Sequence, residues 1–528
     1  MTKALPKEFL SVISQNDGML RYLDSLSQGR DFTPRSWLYE TEEPDTILNN
    51  WLNILSSLEN GDSFQKRVYQ FDTSQLEKWG PQGGIKPMSD LLTDIVLPTF
   101  GEHSPARAFT TGAWDRALYR THRDLRASGV RSIVPVAYKH VVDDMRARDT
   151  LESNSGWPDF TRRNKPEVIS AAIAAAQDRQ CLDYPAIALF RNYNMKTRLV
   201  WMFPMAENVF EGAYVQAYQN AIINSGNSFV APWRSFEEVR DLITRAYDPS
   251  IKAYLYATDF SKTDEHFTLE SSMQVYGVLH SLLRNANSDM DLVRSIQRMH
   301  KIPLIISPNE MITGTHGVAS GSNWTNFIET IFDWIFSWYV ADEAAMRLGW
   351  QVQGLYAIGD DMCWIGDEFY ESFPKYVSKW GNDVGQDVNA SKVTAEPDAV
   401  KTLQRLFQRG YNRPDGKVRG VYSTIRALKS SVYPERFHKP SLWSSDMFCA
   451  RQYMILENCV DHPLFEEFVK FVVKGQKDLI PFAKKASSDL MRITRETKLL
   501  PGFNPTYNQE KRDTSLAKFR SIEIARTL

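Results

Sequence analysis

Leu355-Tyr356-Ala357-Ile358-Gly359-Asp360-Asp361-Met362-Cys363-Trp364-Ile365 is the stretch on which the fold turns. Two apolar runs flank a Gly-Asp-Asp corner, which reads as a hairpin with two carboxylates forced to its tip. Adjacent anions repel there unless a cation joins them. By composition alone the tripeptide occurs by chance in about one chain in ten of this length, so its meaning depends on its surroundings. Upstream, residues 252–258 alternate in strand fashion and run into Asp259-Phe260-Ser261-Lys262-Thr263-Asp264, with Asp259 placed 101 residues before Asp360. If the two strands pair side by side, Asp259, Asp360 and Asp361 offer the oxygen donors that two hard divalent cations need, Mg²⁺ being the usual choice. The competing reading makes Asp259 the cap of a following helix.

The rest of the chain sets limits on what such a site could serve. With 528 residues and 43% hydrophobic content the sequence can bury several cores. Lys and Arg number 62 against 64 Asp and Glu, a net charge of −2, so no bulk positive field exists and nucleic acid could be held only in a locally lined channel. Cys181, Cys363, Cys449 and Cys459 are scattered, which argues against a disulfide framework or a zinc knuckle and fits a reducing compartment. The first residues carry no signal-like apolar run, and the greasiest segment, residues 327–340, contains Glu329 and Asp333. The expectation is a protein neither secreted nor membrane-spanning. No repeat is visible. Apolar residues recur at helical spacing over 48–58, 166–178, 322–346 and 462–490, while strand signals concentrate in the middle. The fold class expected is α+β, a small antiparallel sheet framed by helices.

Two further features bear on chemistry. Thr315-His316-Gly317-Val318-Ala319-Ser320-Gly321 is a glycine-punctuated loop feeding a long apolar helix, on which Thr325 and Glu329 fall one turn apart. Arg116, Arg120, Arg123 and Arg126 share one helix face, either as an ion-paired solvated surface or as a phosphate contact. Arg162, Arg163 and Lys165, and Lys484, Lys485, Arg492, Arg495 and Lys498, form other basic clusters.

The order of these pieces, Asp-x₄-Asp, then Ser-Gly-x₃-Thr, then Gly-Asp-Asp, with 61 residues from Asp259 to Ser320 and 40 from Ser320 to Asp360, resembles the palm of viral RNA-directed RNA polymerases. Lys196-Thr197-Arg198 looks like the family's Lys-x-Arg fingers motif over the incoming triphosphate. Ser155-Gly156-Trp157-Pro158 is similar to its template-channel loop. Lys392, 32 residues past Asp360, matches the palm lysine that protonates the leaving pyrophosphate. Asp259-Phe260-Ser261-Lys262-Thr263-Asp264 and Ser320-Gly321-Ser322-Asn323-Trp324-Thr325 look most like the picobirnavirus polymerases, with partitivirus enzymes as near relatives.

The resemblance implies a right-hand polymerase. Residues 1–110 would bridge fingers and thumb, 111–250 form fingers, 251–410 the palm with a fingers insertion at about 275–310, and 411–528 a helical thumb. It implies catalysis and metal binding by Asp259, Asp360 and Asp361, using two Mg²⁺ or Mn²⁺ ions, with Lys392 as proton donor. Nucleotide contacts fall to Lys196, Arg198, Asp264, Ser320, Gly321, Thr325 and Glu329, and template contacts to Gly156, Pro158, Arg116, Arg120 and Arg123. Partners would be RNA template and product, ribonucleoside triphosphates and a viral capsid, with no membrane, for a monomer in the virion interior or host cytoplasm that copies a double-stranded RNA genome. One departure concerns the sugar: many family members carry Asn where Glu329 stands. A reverse transcriptase or DNA polymerase would share the carboxylates but have an aromatic residue in place of Asp264. A metal-dependent nuclease would not need Lys196, Arg198 and Lys392 in that order, and a coat protein would need a basic excess.

Overall fold

The computed structural model describes residues 1–436, 443–499 and 515–528. Its strands are β1 (Thr2–Ala4), β2 (Ala186–Tyr193), β3 (Lys196–Met202), β4 (Tyr254–Ser261), β5 (Leu304–Ile305), β6 (Glu310–Ile312), β7 (Val352–Ile358), β8 (Asp361–Gly366), β9 (Asp387–Val388), β10 (Thr394–Ala395), β11 (Ala399–Thr402), β12 (Arg405–Gln408) and β13 (Val421–Tyr422). They make three sheets, ordered β1-β6-β5-β2-β3, β10-β4-β8-β7 and β11-β12-β13, with β9 also pairing β4. The second sheet is the one anticipated from residues 252–258 and the Gly-Asp-Asp hairpin. Its strands β4, β7 and β8 pair antiparallel, and Tyr256, Tyr356, Cys363 and Trp364 on them are fully buried.

Helices pack against both ends of these sheets. Trp324–Leu348 runs for 25 residues through the centre, apolar on nearly every side, which is why it lies buried rather than at the surface. Its neighbours in one continuous core include Trp114, Phe210, Tyr218, Trp364 and Trp380. A second core joins the helices Pro44–Leu55 and Ser63–Thr73 to Thr424–Val432, Ser445–Glu457 and Phe465–Val473. The early part of the chain therefore serves both regions: β1 adds to the sheet of β2 and β3, while Trp51 Nε1 donates to Thr424 Oγ1 and Asp72 accepts from Ser423, Thr424 and His462.

One sequence expectation changes in detail. The periodic stretch 462–490 is not one helix but the sequence Phe465–Val473, Leu479–Ala483 and Ser487–Leu499, because the Gly475 carbonyl is drawn off to the Tyr39 amide and Pro481 has no N–H to give. β11 and β12 pair as an antiparallel hairpin, and Thr424–Val432 is helix. All four cysteines are free and buried.

Candidate active site

Asp259 sits in β4 directly opposite Asp361 of β8, so it is a strand residue and not the cap of a helix. Strand pairing fixes this register, and the Phe260 amide donates to the Asp360 carbonyl across the same junction. The result is that one oxygen from each of Asp259, Asp360 and Asp361 lies within 4.8 Å of the others. Three carboxylates that close suit a hard cation, with oxygen donors only.

Electrostatics agree. Desolvation, and then Asp360, push the Asp259 carboxyl up to about 7, with Lys392 and Arg198 opposing. Burial raises Asp360 as well, against hydrogen bonds from its own amide and from Thr263 Oγ1 at 3.1 Å and against Arg198. Asp361 is raised well above its usual range by burial, Asp360 and Asp259. Asp264, on the turn Thr263–His266 that follows β4, rises to about 6 through burial, with Arg198 the main opposing charge. A group of acids this close cannot all ionise unaided. Divalent cations fit what the donors demand.

Ser320, Thr325 and Glu329 come from the loop and first turns of Trp324–Leu348, which pack beside the hairpin. Glu329 is buried and held well above the ordinary carboxyl range by burial, then by Asp360 and Asp264. Asp264 and Glu329 thus face each other's charge, and in both burial disfavours the ionised form. Gly359 N donates to Thr330 Oγ1 at 2.9 Å, tying the hairpin corner to the same helix. Thr325 Oγ1 donates to the Ala319 carbonyl at 2.6 Å. Gly321 cannot be anything larger: a Cβ there would stand 1.8 Å from the Trp201 carbonyl.

Lys196 and Arg198 are exposed on β3, and Lys392, also exposed, ends the turn Ala390–Lys392. Arg198 and Lys392 are the cations that act on Asp259. Gly156 and Pro158 lie in a loop whose Ser155 carbonyl accepts the Met205 amide at 2.8 Å, next to the end of β3. The arginine stripe goes elsewhere. Arg116 and Arg120 both pair with Asp342, at 2.7 and 3.4 Å, and Arg123 with Asp124. Asp342 is 17 residues along the helix from Thr325, about 26 Å at the α-helical rise. These three form an ion-paired helix face, one of the two readings that their spacing allows.

Sequence reasoning missed Asp333, Glu207 and Glu211, all buried carboxylates around the same helix. Asp333 carried a usable signal, four residues after Glu329 inside an apolar run. The other two are legible only in three dimensions.

A sheet presenting three clustered carboxylates, a helix beside it and cations from a flanking hairpin define a right-hand nucleic-acid polymerase. Residues 194–417 match the family profile of viral RNA-dependent RNA polymerases. The chain is 27% identical over 489 residues, 88% of this chain and 86% of its relative, to a potential RNA-dependent RNA polymerase of Human picobirnavirus (strain Human/Thailand/Hy005102/-). Its fold is similar to the crystal structure of the RNA-dependent RNA polymerase of a human picobirnavirus, with a TM-score of 0.78 at 23% identity over 94% of each chain. An insertion-loop deletion mutant of that enzyme gives 0.75 at 23% identity, over 99% of this chain and 100% of the other. On this likeness the chain is an RNA-directed RNA polymerase, a nucleotidyltransferase, similar to the viral enzymes.

Proposed function

We propose that the chain builds RNA on an RNA template by two-metal phosphoryl transfer, with Asp259, Asp360 and Asp361 holding two Mg²⁺ or Mn²⁺ ions, and that it replicates and transcribes a double-stranded viral RNA genome. The register of Asp259 against Asp361, which gathers the three carboxylates within 4.8 Å, is the observation that carries this reading. Bound there, the ions would acidify the attacking 3′-hydroxyl and neutralise the departing oxygen.

The chain's own side chains do the remaining work. Lys196 and Arg198 hold the triphosphate, and Lys392 gives a proton to the pyrophosphate oxygen as its bond to the α-phosphorus breaks. Asp264 meets the ribose 2′-hydroxyl, beside a pocket wall of Ser320, Gly321 and Thr325, while Glu329 closes the back. Gly156 and Pro158 guide the template. Residues 1–110 bridge fingers (111–250) and thumb (411–528) around the palm (251–410, with the insertion at about 275–310), a division supported by β1 in one region and Asp72 in the other. The double-stranded genome, a capsid contact, a monomeric enzyme and a place in the virion interior or host cytoplasm rest on the likeness to the picobirnavirus polymerase. Among the described residues no helix is long and apolar enough to cross a membrane.

The test is direct: purified protein, a short single-stranded RNA, four ribonucleotides and Mg²⁺, with labelled product resolved on a gel. Product that requires template and Mg²⁺, and is lost in Asp360→Ala, supports the reading. Phosphodiester cleavage without synthesis would replace it with a nuclease.

A further inference from the structure

Two loops meet on either side of residues 201–203, where β3 ends. On one side the Trp201 amide donates to Ser320 Oγ at 3.2 Å and Gly321 lies against the Trp201 carbonyl. On the other the loop of Gly156 and Pro158 is hung from Met205. Behind both runs the helix Met205–Asn224, whose first turns bury Asn208 and Glu211.

These two side chains and Arg163 join the loops. Glu211 Oε1 accepts from the Asn323 amide at 2.6 Å and from Asn208 Nδ2 at 2.8 Å, and its Oε2 accepts from Ser322 Oγ at 2.7 Å. Asn208 Nδ2 also donates to the Gly321 carbonyl at 3.0 Å, and the Asn208 carbonyl accepts from Asn323 Nδ2 at 3.0 Å. Asn208 Oδ1 accepts from Arg163 Nη2 at 2.9 Å, and Arg163 Nε donates to the Asn154 carbonyl at 3.1 Å. Asn154 Oδ1 in turn accepts from the Gly156 amide at 2.7 Å. Each donor faces an acceptor, so the amide orientation of Asn208 is fixed by its neighbours. Asn323, the residue before the long helix, makes no side-chain cap of its own, and Glu211 stands in that place, where the helix dipole favours a negative charge. Burial pushes its carboxyl up to about 7, while Asn323, Ser322, Asn208 and Arg163 pull it down.

We propose that Arg163, Asn208 and Glu211 are positioning residues: a polar bracket, buried at Asn208 and Glu211 and half-buried at Arg163, that locks the loop of Ser320 and Thr325 to the loop of Gly156 and Pro158, so that nucleotide sugar and template strand are aligned by one rigid unit. The inference rests on the assignment of those loops made under the proposed function. A helix cap alone would not need the arm through Asn208 to Arg163, and that arm is what distinguishes the two roles.

The experiment is a double-mutant cycle with Arg163→Lys and Ser322→Ala, which lie at opposite ends of the bracket and do not touch. Single-nucleotide incorporation is measured on the full chain, with melting temperature as the control for folding. Each single variant is expected to lower kcat about tenfold, within the range a small misalignment produces, with KM for the nucleotide nearly unchanged. The double variant should be no slower than the worse single one, because either change already severs the unit. Glu211→Gln retains an acceptor at Oε1 and should keep most of the parent's kcat, whereas Asn208→Asp, which sets oxygen against Glu211 and the Gly321 carbonyl, should lose it. Multiplicative losses in the double variant, or losses that follow melting temperature across all four variants, overturn the bracket. Asp360→Ala is run alongside: if it is inactive while the cycle is multiplicative, only the bracket falls, and if it is active the site assignment falls first.

Discussion

Glu329 and Asp333 stand one turn apart inside the Trp324–Leu348 helix, both buried, and neither oxygen of Asp333 has a hydrogen-bond partner. Burial, then Glu329 and Asp360, hold Asp333 well above its usual 3.8. Two acids whose charge burial disfavours are thus stacked beneath the hairpin tip, while the carboxylate oxygens that converge are those of Asp259, Asp360 and Asp361.

This has a pH signature. A carboxyl whose pKa is raised by folding keeps a proton that the unfolded chain releases, so its contribution to stability falls as pH climbs above about 4 toward the folded value. Asp333→Asn removes that dependence. In chelator, the melting temperature of the variant should decline less than the parent's between about pH 5 and about pH 8. Equal slopes would mean that Asp333 is ionised when folded.

Cation binding should show the opposite trend. Asp259 at about 7 and Asp264 at about 6 compete with protons for the same charge. Mg²⁺ should therefore raise the melting temperature more at about pH 8 than at about pH 5.5, since binding must displace protons at the lower pH. A gain independent of pH would place the ion elsewhere.

Asp360→Ala is expected to leave the fold intact and to reduce incorporation below about a hundredth of the parent rate, the scale of several kcal/mol of lost charge stabilisation. RNA binding should persist, since phosphate contacts elsewhere carry it. Gel extension and a filter-binding curve on the same preparation read both.

Arg198→Ala and Lys392→Leu should differ in kind. Removing Arg198 takes oriented donors from the triphosphate, raising KM and lowering kcat. Removing Lys392 slows the bond-breaking step alone. An unchanged single-turnover rate in Lys392→Leu would leave it a solvent lysine.

Sugar choice isolates Asp264. Asp264→Ala should lose much of the preference for GTP over dGTP, because a site that hydrogen-bonds a hydroxyl rejects the analogue lacking it. Glu329→Gln should keep that preference, since Gln retains the shape and polar end of a side chain whose charge burial already disfavours. The ratio of kcat/KM for the two substrates in each variant decides.

What the sequence disclosed follows the range of the interactions involved. Asp259 and Asp361 were legible because alternation and a two-carboxylate corner are local patterns, and strand pairing does the rest. The arginine stripe left two readings open because Asp342, the partner of Arg116 and Arg120, lies 226 residues from Arg116 and nothing local announces an ion pair across that gap. Glu211 was silent for the same reason: its acceptor role is set by Ser322, 111 residues away. Asp333 was visible at helical spacing from Glu329, yet an acid in an apolar run marks burial without saying beside what.

The turn between β2 and β3 also reaches across to the helix Thr424–Val432: Lys429 Nζ donates to Asn194 Oδ1, Arg426 Nη2 to Tyr193, and Arg191 pairs with Glu435. Each of these contacts spans more than 230 residues of chain, so the hairpin that carries Lys196 and Arg198 is braced by a distant stretch of the sequence. RNA held as proposed would then meet cations fixed by local bracing, an arrangement that needs no bulk positive field and fits a net charge of −2.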